Sequence, residues 1–268
     1  MRNSLTIVCI LFLAAAIALP ARGASPYERS WSKDGWIAGL SAAAGAGAIV
    51  VSQTPSPLTA AEINTLSRES VNWFDRSATD RYSESIDDAS DVVIYGVVAA
   101  PMALFAGKCV RDDWETFSLM YVETIALAAI LPAFAKGTVE RIRPYAYNPD
   151  APMDVKTTSD AKKSFFSRHA SMAFASAVFL STAYDDYYPD SHASPYIWIG
   201  SLLAASAVGY MRYSSGQHFP TDIVTGAIVG SAVGYLIPRL HRADHGTPGL
   251  ASTAAAFSPL GVAFELRW

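Results

Sequence analysis

Six Ala- and Gly-rich apolar runs, separated by polar stretches, are the feature that most limits how this chain can fold. Each run holds 15 to 19 residues, has few β-branched clusters and shows no strand-like alternation, so each predicts an α-helix. The sequence therefore predicts an all-α protein with a core bundle of about six helices. The runs are 36–51 (the weakest), 92–107, 117–135, 170–184, 196–211 and 223–237.

The same runs suit a lipid bilayer or a protein interior. They are at or below the roughly 20 residues that a membrane-spanning helix needs, and small residues permit close helix contact in either setting. Glu123, inside the third run, favours a protein core with a polar interior. A membrane-embedded bundle and a soluble one both stay open at this stage. The net charge of −4 gives no basic surface for nucleic acid.

The N-terminus has the pattern of an export signal. Arg2 supplies the positive end, residues 5–19 form a short apolar core, and small residues near Gly23 offer a cleavage site. We therefore expect a signal peptide at 1–23 and delivery to the cell envelope; an uncleaved anchor helix is the alternative. Outside this signal the chain has a single cysteine, Cys109, which excludes an internal disulfide.

The rest of the chain divides by composition. Residues 24–90 are predicted to be an N-terminal helical and linker region, in which Thr59 and Glu62 have the spacing of a capping box. The core is predicted at 91–244 and a tail at 245–268. Apolar and polar residues alternate at the end of the tail, which predicts a short strand there.

The first charged motif is "KGTVERIRP". It continues the third apolar run, so Lys136 and Arg143, seven residues apart, are predicted to share a helical face with Glu140 between them. Pro144 is expected to end the helix. The pattern indicates a pair of cations at a helix end, or a plain basic cap that favours the helix C-terminus.

The second motif, "FFSRHAS", opens the next apolar run. Ser167 is a good N-cap, and the unpaired N–H groups of a helix N-terminus form a ready anion site. Arg168 adds a full charge, and His169 can exchange a proton near neutral pH. Ordinary helix capping beside an exposed His is the alternative interpretation.

The third motif, "MRYSSGQHFPTD", lies between the last two runs. Arg212 follows an apolar run, and Pro220 suits the first turn of the next helix. Asp222 is four residues after His218, close enough for its carboxylate to accept a hydrogen bond from one imidazole N–H. The other imidazole nitrogen is then free to act as a nucleophile. A capping loop without chemistry is the alternative.

Together the three motifs place cations, a helix N-terminus and two His at helix ends. That set predicts a phosphate cradle with an acid and a nucleophile, which is what phosphoryl transfer requires. A metal site in "YDDYYPDSH", from Asp185, Asp186, Asp190 and His192, is a further possibility. A solvated loop between helices explains that stretch more simply.

The order Lys-x6-Arg-Pro, Ser-x-His and Arg-x5-His-x3-Asp resembles the type 2 phosphatidic acid phosphatase and vanadium haloperoxidase superfamily. The resemblance covers about 117–237. It implies a six-helix core and a mechanism without metal or cofactor. It also implies that His218 attacks phosphorus, Asp222 orients His218, and His169 protonates the leaving oxygen. The implied phosphate-binding residues are Lys136, Arg143, Ser167, Arg168 and Arg212.

Two of the three motifs depart from the usual family pattern. Phe166 and Arg168 stand where the second motif usually has Pro and Gly, and Met211 replaces a Ser at the start of the third. Arg168 must present its backbone N–H without the freedom of Gly. Neither departure changes the nucleophile or the acid that the resemblance implies.

The sequence thus predicts a metal-independent phosphatase of the cell envelope that acts on phosphate monoesters or diphosphates, with a phosphorylated lipid as the preferred substrate. The site is expected to face outward from a membrane, or to belong to a periplasmic protein. A soluble acid phosphatase acting on small esters, a vanadate-dependent haloperoxidase with His218 as vanadate ligand, and a family member kept only for binding or transport are the alternatives.

Overall fold

The computed structural model describes residues 25–51 and 55–243. Within them the chain is all-α and has no strand, which confirms the predicted fold class. The predicted signal peptide and C-terminal strand lie outside the described residues. The helices are α1 Trp31–Val51, α2 Ala60–Thr65, α3 Glu84–Ala99, α4 Lys108–Asp112, α5 Trp114–Val139, α6 Met153–Lys156, α7 Arg168–Tyr187, α8 Ser194–Ser214 and α9 Pro220–Leu240.

The six long helices, α1, α3, α5, α7, α8 and α9, correspond to the six apolar runs. The predicted capping box before α2 is also present, with Thr59 and Glu62 each accepting the other's backbone N–H. The largest difference is in α3, which begins at Glu84 because the Ser83 hydroxyl caps it by accepting from the Ile86 N–H. After α3 the chain continues as the 3-10 helix Ala100–Ala106. The predicted core boundary at residue 91 therefore falls inside a helix.

The three charged motifs gather at one end of the bundle, which we name the site end. There α5 and α8 end while α3, α7 and α9 begin. Arg212 at the end of α8 reaches Asp87 at the start of α3, and the Ser167 N–H before α7 donates to the Asp222 carbonyl in α9 at 3.1 Å. α1 also ends near this level, because Val51 packs against Gly137 of α5. The long helices therefore alternate in direction.

Helix α7 is the centre of the bundle. Most of its residues are buried, and it packs against α3, α5, α8 and α9. On its α5 side an aromatic cluster forms, in which Phe179 contacts Phe117 and Tyr121. On its α9 side only small residues separate the two backbones. This packing fixes the start of α7 against the start of α9.

Four helical segments are long and apolar enough to cross a membrane, by length and composition. Large apolar side chains on their outer faces stay exposed, including Trp36, Leu40, Val92, Ile228 and Leu236. A soluble bundle would bury such side chains to gain the free energy of transfer from water. These surfaces support a membrane protein. The segments are Trp31–Val51, Glu84–Ala106, Trp114–Tyr147 and Pro220–Leu240.

The end of α5 differs from the prediction. The helix stops at Val139, and Glu140 takes a left-handed conformation with φ 49°. Residues beyond it pair with another segment: the Arg143 N–H donates to the Ala161 carbonyl at 2.8 Å, and the Ser164 N–H donates to the Arg141 carbonyl at 2.9 Å. Because these bonds satisfy the backbone, the chain leaves the helix before Pro144. The prediction that Lys136 and Arg143 share a helical face is therefore wrong.

Candidate active site

A polar cavity of about 350 Å³ opens at the site end. Six of the eight predicted site residues line it, from all three sequence motifs: Lys136, Arg143, Arg168, His169, Arg212 and His218. Gln217 of the third motif and residues outside the motifs complete the wall, the latter being Asp87, Asp91, Tyr145, Val155, Thr158 and Asp160. The fold thus brings together residues that are up to 131 positions apart, from Asp87 to His218.

His218 lies in the turn between α8 and α9 and is 1% exposed. Its backbone N–H donates to the Arg212 carbonyl at 3.2 Å, which holds the turn against the end of α8. Burial lowers the pKa of His218 well below its usual value, and the positive charges of Lys136 and Arg143 lower it further. The imidazole is therefore neutral near pH 7, as a nucleophile must be.

Asp222 lies behind His218 rather than in the cavity wall. Its Oδ2 is 3.7 Å from Nδ1 of His218, beyond hydrogen-bond distance. The carboxylate accepts from the Phe219 N–H at 2.9 Å, from the Ser164 hydroxyl at 2.5 Å and from Arg141 at 2.5 Å. Asp222 thus caps the start of α9. Its expected role in orienting His218 stays a prediction.

Arg143 forms the floor of the cavity and is almost fully buried. Its guanidinium pairs with the Asp160 carboxylate at 2.9 Å and donates to the Gln217 side chain at 2.8 Å. Burial opposes ionisation of Asp160, but the adjacent Arg143 outweighs it and holds the pKa of that carboxyl at about 2. The pair therefore stays charged at neutral pH.

Arg212 meets two carboxylates from the start of α3. Its Nη1 donates to Asp87 and, at 2.7 Å, to the Ser90 hydroxyl, and it lies 3.5 Å from Asp91. Gln217 also donates to Asp87, at 2.9 Å. The Nε of Arg212 is buried without a hydrogen-bond partner among the described residues. One donor of this cavity-lining guanidinium thus has no acceptor in the described part of the chain.

His169, in the first turn of α7, places its Nε2 2.8 Å from the Asp91 carboxylate. Burial lowers its pKa to about 4, and Arg212 adds to this effect against the opposing influence of Asp91. His169 is therefore neutral in the free protein near pH 7. A bound phosphate dianion has the opposite effect on the ring, because its negative charge favours the imidazolium.

The remaining predicted residues surround the same helix start. Arg168 is exposed at the cavity rim, and Lys136 reaches the cavity from α5. Neither side chain forms a hydrogen bond or ion pair with another residue in the described ranges. Ser167 is buried as the N-cap, where its hydroxyl accepts from the Ala170 N–H at 3.3 Å. It does not line the cavity, and its expected role in phosphate binding stays a prediction.

The core of the chain matches a known family. Residues 117–245 match the model of the PAP2 superfamily. Through this segment, just under half of its length, the chain is similar to the PAP2 superfamily. The family match contains all eight predicted site residues and confirms the resemblance that the motifs indicated.

Two curated relatives are similar over the same part of the chain. One is a phospholipid phosphatase-related protein type 1 of Rattus norvegicus, 29% identical over 114 residues, or 41% of this chain and 35% of the relative. The other is an undecaprenyl-diphosphatase of Sulfolobus acidocaldarius, 27% identical over 116 residues, or 43% of this chain and 50% of the relative. The chain thus spans a third to a half of these relatives. No solved structure matches it significantly.

Several residues around the cavity were not predicted from the sequence. Asp87 and Asp91 are four apart in "SIDDASD", a spacing that puts both on one helical face. Gln217 stands next to His218, and its amide links Arg143 to Asp87. Arg141, between Lys136 and Arg143, bridges Asp222 and the buried Asp75. Of these residues, only Asp87 and Asp91 have a spacing in the sequence that could have indicated a shared face.

Anion binding in the cavity should depend on pH. Sulfate is a dianion across pH 4 to 8, so bound sulfate should raise the pKa of His169, which is about 4 in the free protein. The sulfate complex should therefore carry a proton on His169 that the free protein lacks. We therefore expect sulfate affinity to increase as pH falls from 8 to 5, by up to about tenfold per pH unit for one proton taken up. Calorimetry across this range measures it; a constant affinity would contradict the assignment.

Proposed function

We propose that this chain is a metal-independent phosphatase that hydrolyses phosphate monoesters or diphosphates through a phosphohistidine intermediate. The observation that carries the proposal is the set of donors without protein acceptors around His218. Lys136, Arg168 and the Nε of Arg212 converge on one cavity, beside a buried neutral imidazole. Such charge placement stabilises the equatorial oxygens of a phosphoryl group in transfer.

The proposed first step transfers the phosphoryl group to His218. Nδ1 lies on the Asp222 side, which leaves Nε2 to attack phosphorus. As the N–P bond forms, the P–O bond to the leaving group breaks, and His169 gives its proton to the leaving oxygen. His169 carries that proton because the bound phosphate raises its pKa, while Asp91 at 2.8 Å stabilises the imidazolium.

The second step releases phosphate. Water attacks phosphorus from the side that the leaving group vacated, and His169, now neutral, takes the proton of that water. The N–P bond breaks, which returns His218 to its starting state and leaves inorganic phosphate. The cations that bind the substrate also bind this product, so phosphate is expected to inhibit competitively.

A phosphorylated lipid is the substrate class that the structure supports best. The membrane-capable helices end at the level of the cavity, so a headgroup at the bilayer surface would reach it. The name of one relative is undecaprenyl-diphosphatase, and the other is named as related to phospholipid phosphatases. Small water-soluble esters are the competing class, and nucleic acid is not an expected partner.

The experiment that tests the function measures phosphate release by the purified chain in excess chelator. The panel holds phosphatidic acid, phosphatidylglycerol phosphate, an isoprenyl diphosphate and water-soluble monoesters. Release from a lipid phosphate at a higher kcat/KM than from soluble esters supports the proposal in full. Preference for soluble esters would remove the lipid substrate, and bromination that depends on added vanadate would reassign the site to haloperoxidase chemistry. No phosphate release from any substrate would contradict the proposed activity and favour the alternative of a protein that only binds its ligand.

The proposed location is the cell envelope with the cavity facing outward. The export-type pattern of residues 1–23 supports delivery there. Since α1 runs the length of the bundle, residue 31 and the cavity lie at opposite ends. Because an export signal carries residue 31 to the outer side, the cavity faces outward only where α1 does not cross the membrane; an α1 that crosses it would place the cavity in the cytoplasm.

Single cysteines at the two ends should label differently. Cys109 is exposed at the end away from the cavity, and Asp154 is exposed beside the cavity. With Cys9 replaced, we expect an impermeant maleimide on intact cells to label Asp154→Cys in a Cys109→Ser background and to spare Cys109 in the parent. Labelling of both sites indicates a periplasmic protein. Labelling of Cys109 alone would place the cavity in the cytoplasm and contradict the proposal.

A further inference from the structure

Three ionisable residues meet at the end of the bundle opposite the cavity. They are Asp34 in the first turn of α1, Glu123 in α5 and His241 just after α9. One ligand atom from each lies within 4.8 Å of the others. His241 is 0% exposed and Glu123 is 6% exposed. The length of α9 separates this cluster from the cavity by roughly 30 Å.

The hydrogen bonds of His241 fix which nitrogen faces the cluster. Nδ1 lies 2.9 Å from the Ile237 carbonyl, which can only accept, so Nδ1 carries a proton and donates it. Nε2 of the neutral ring then presents a lone pair. It faces Oδ1 of Asp34 at 3.0 Å and Oε2 of Glu123 at 3.4 Å. Three acceptors thus converge on one point, an arrangement that a bound cation would stabilise.

A proton alone does not satisfy this arrangement. On Nε2 it would be donated to Asp34, which is the nearer carboxylate. Both carboxylate oxygens of Glu123 are buried without a hydrogen-bond partner in the described part of the chain. A buried carboxylate left in that state carries a large desolvation cost. A divalent cation interacts with both carboxylates and the imidazole at once.

The spacing also suits a metal. In a tetrahedral zinc site with bonds of about 2.0 to 2.2 Å, neighbouring ligand atoms lie about 3.3 to 3.6 Å apart. Nε2 of His241 is 3.4 Å from Glu123 and 3.0 Å from Asp34. The other oxygen of Asp34 accepts from the Ser30 N–H at 3.1 Å, which orients the carboxylate. The backbone acceptor on Nδ1 is the outer partner that metal-binding imidazoles require.

We propose that Asp34, Glu123 and His241 bind one divalent transition-metal cation of the Zn²⁺ type. Imidazole nitrogen with two carboxylates favours such ions over Mg²⁺ and Ca²⁺, which select oxygen ligands alone. The ion joins α1 to α5 and α9 at the end of the bundle away from the cavity. It stabilises the packing of α1 and takes no part in phosphate chemistry.

Zinc binding tests the proposal on the purified full-length chain, stripped with chelator and then titrated with Zn²⁺ against a chromophoric chelator. We expect one equivalent of Zn²⁺ to bind per chain. Glu123→Gln keeps the side-chain shape and should weaken binding by at least about 100-fold. Glu115→Gln is the matched control on the same helix, since Glu115 pairs with Arg29 at 2.7 Å, and it should bind Zn²⁺ as the parent does.

A second variant and a second metal ion provide independent tests of the site. Asp34→Asn, nearer the surface, serves where Glu123→Gln does not fold, and the same loss of affinity is expected. Bound Co²⁺ should give the intense visible absorption of a tetrahedral site in the parent and not in either variant. A parent that binds no Zn²⁺, or variants that retain its affinity, would overturn the proposal. No turnover is measured, so the outcome is independent of the proposed phosphatase function.

Discussion

Replacing His218 with Gln is expected to lower phosphate release by at least about 10³-fold, which is a loss of more than about 4 kcal/mol of transition-state stabilisation. Gln fits the buried turn and keeps polar atoms, but it has no nitrogen able to form the covalent intermediate. The measurement is kcat in excess chelator on the best substrate of the panel. KM should change far less, because the variant keeps Lys136, Arg168 and Arg212, the proposed phosphate-binding residues.

The control for this variant is His192→Gln, which removes an exposed imidazole from the loop between α7 and α8. It should retain full activity. Rapid quenching with labelled substrate adds a direct readout, because a phosphohistidine is stable in base and labile in acid. The parent should trap label on protein and the His218 variant should not. Equal release by the two proteins would exclude His218 as the nucleophile.

The helices were predictable because their signals are local. An Ala-rich apolar run 15 residues long leaves few alternatives to a helix, and all six runs became helices. The three motifs were informative for the same reason, since each lies at a helix end where its spacing decides which groups face one side. The order of the motifs then indicated the family, which the match at 117–245 confirms.

The carboxylates of the cavity were not predictable in this way. Asp160 pairs with Arg143 only because residues 141–143 leave the helix and run beside residues 161–164. Asp91 meets His169 across 78 positions because α3 and α7 begin at the same end. Such contacts follow from tertiary packing, which overrides the local preference that placed Arg143 on a helix. The cluster of Asp34, Glu123 and His241 escaped prediction for the same reason.

The second large expected effect arises from the close packing of α9 against α7. Gly226, Gly230 and Gly234, spaced by four along α9, face the α7 backbone. A Cβ at Gly230 would lie 2.1 Å from the Ser171 carbonyl oxygen, far inside van der Waals contact. Since backbone cannot rotate away as a side chain can, α7 and α9 must separate by about 1 Å to accept even Ala. Small residues allow this close approach in bundles of either environment.

Gly230→Ala is therefore expected to cost about 1 to 3 kcal/mol of stability and to lower kcat/KM by about 10²-fold. The reason for the second effect is geometric: α7 carries His169, α9 follows directly on His218, and the proposed reaction needs both on one phosphorus. Gly200→Ala on α8 is the matched control, because no atom lies within 4 Å of its Cβ position. That change should instead stabilise the helix by up to about 1 kcal/mol and leave kcat/KM unchanged.

Thermal unfolding and kcat/KM of the folded fraction separate the two effects. A Gly230→Ala protein that unfolds earlier but keeps parental kcat/KM would mean that the site does not depend on the α7–α9 distance. A protein with parental stability and parental activity would contradict the packing itself. Loss of both stability and kcat/KM in Gly230→Ala, with neither loss in Gly200→Ala, would support the packing argument. The three glycines of α9 would then set the distance between the proposed acid, His169, and the proposed nucleophile, His218.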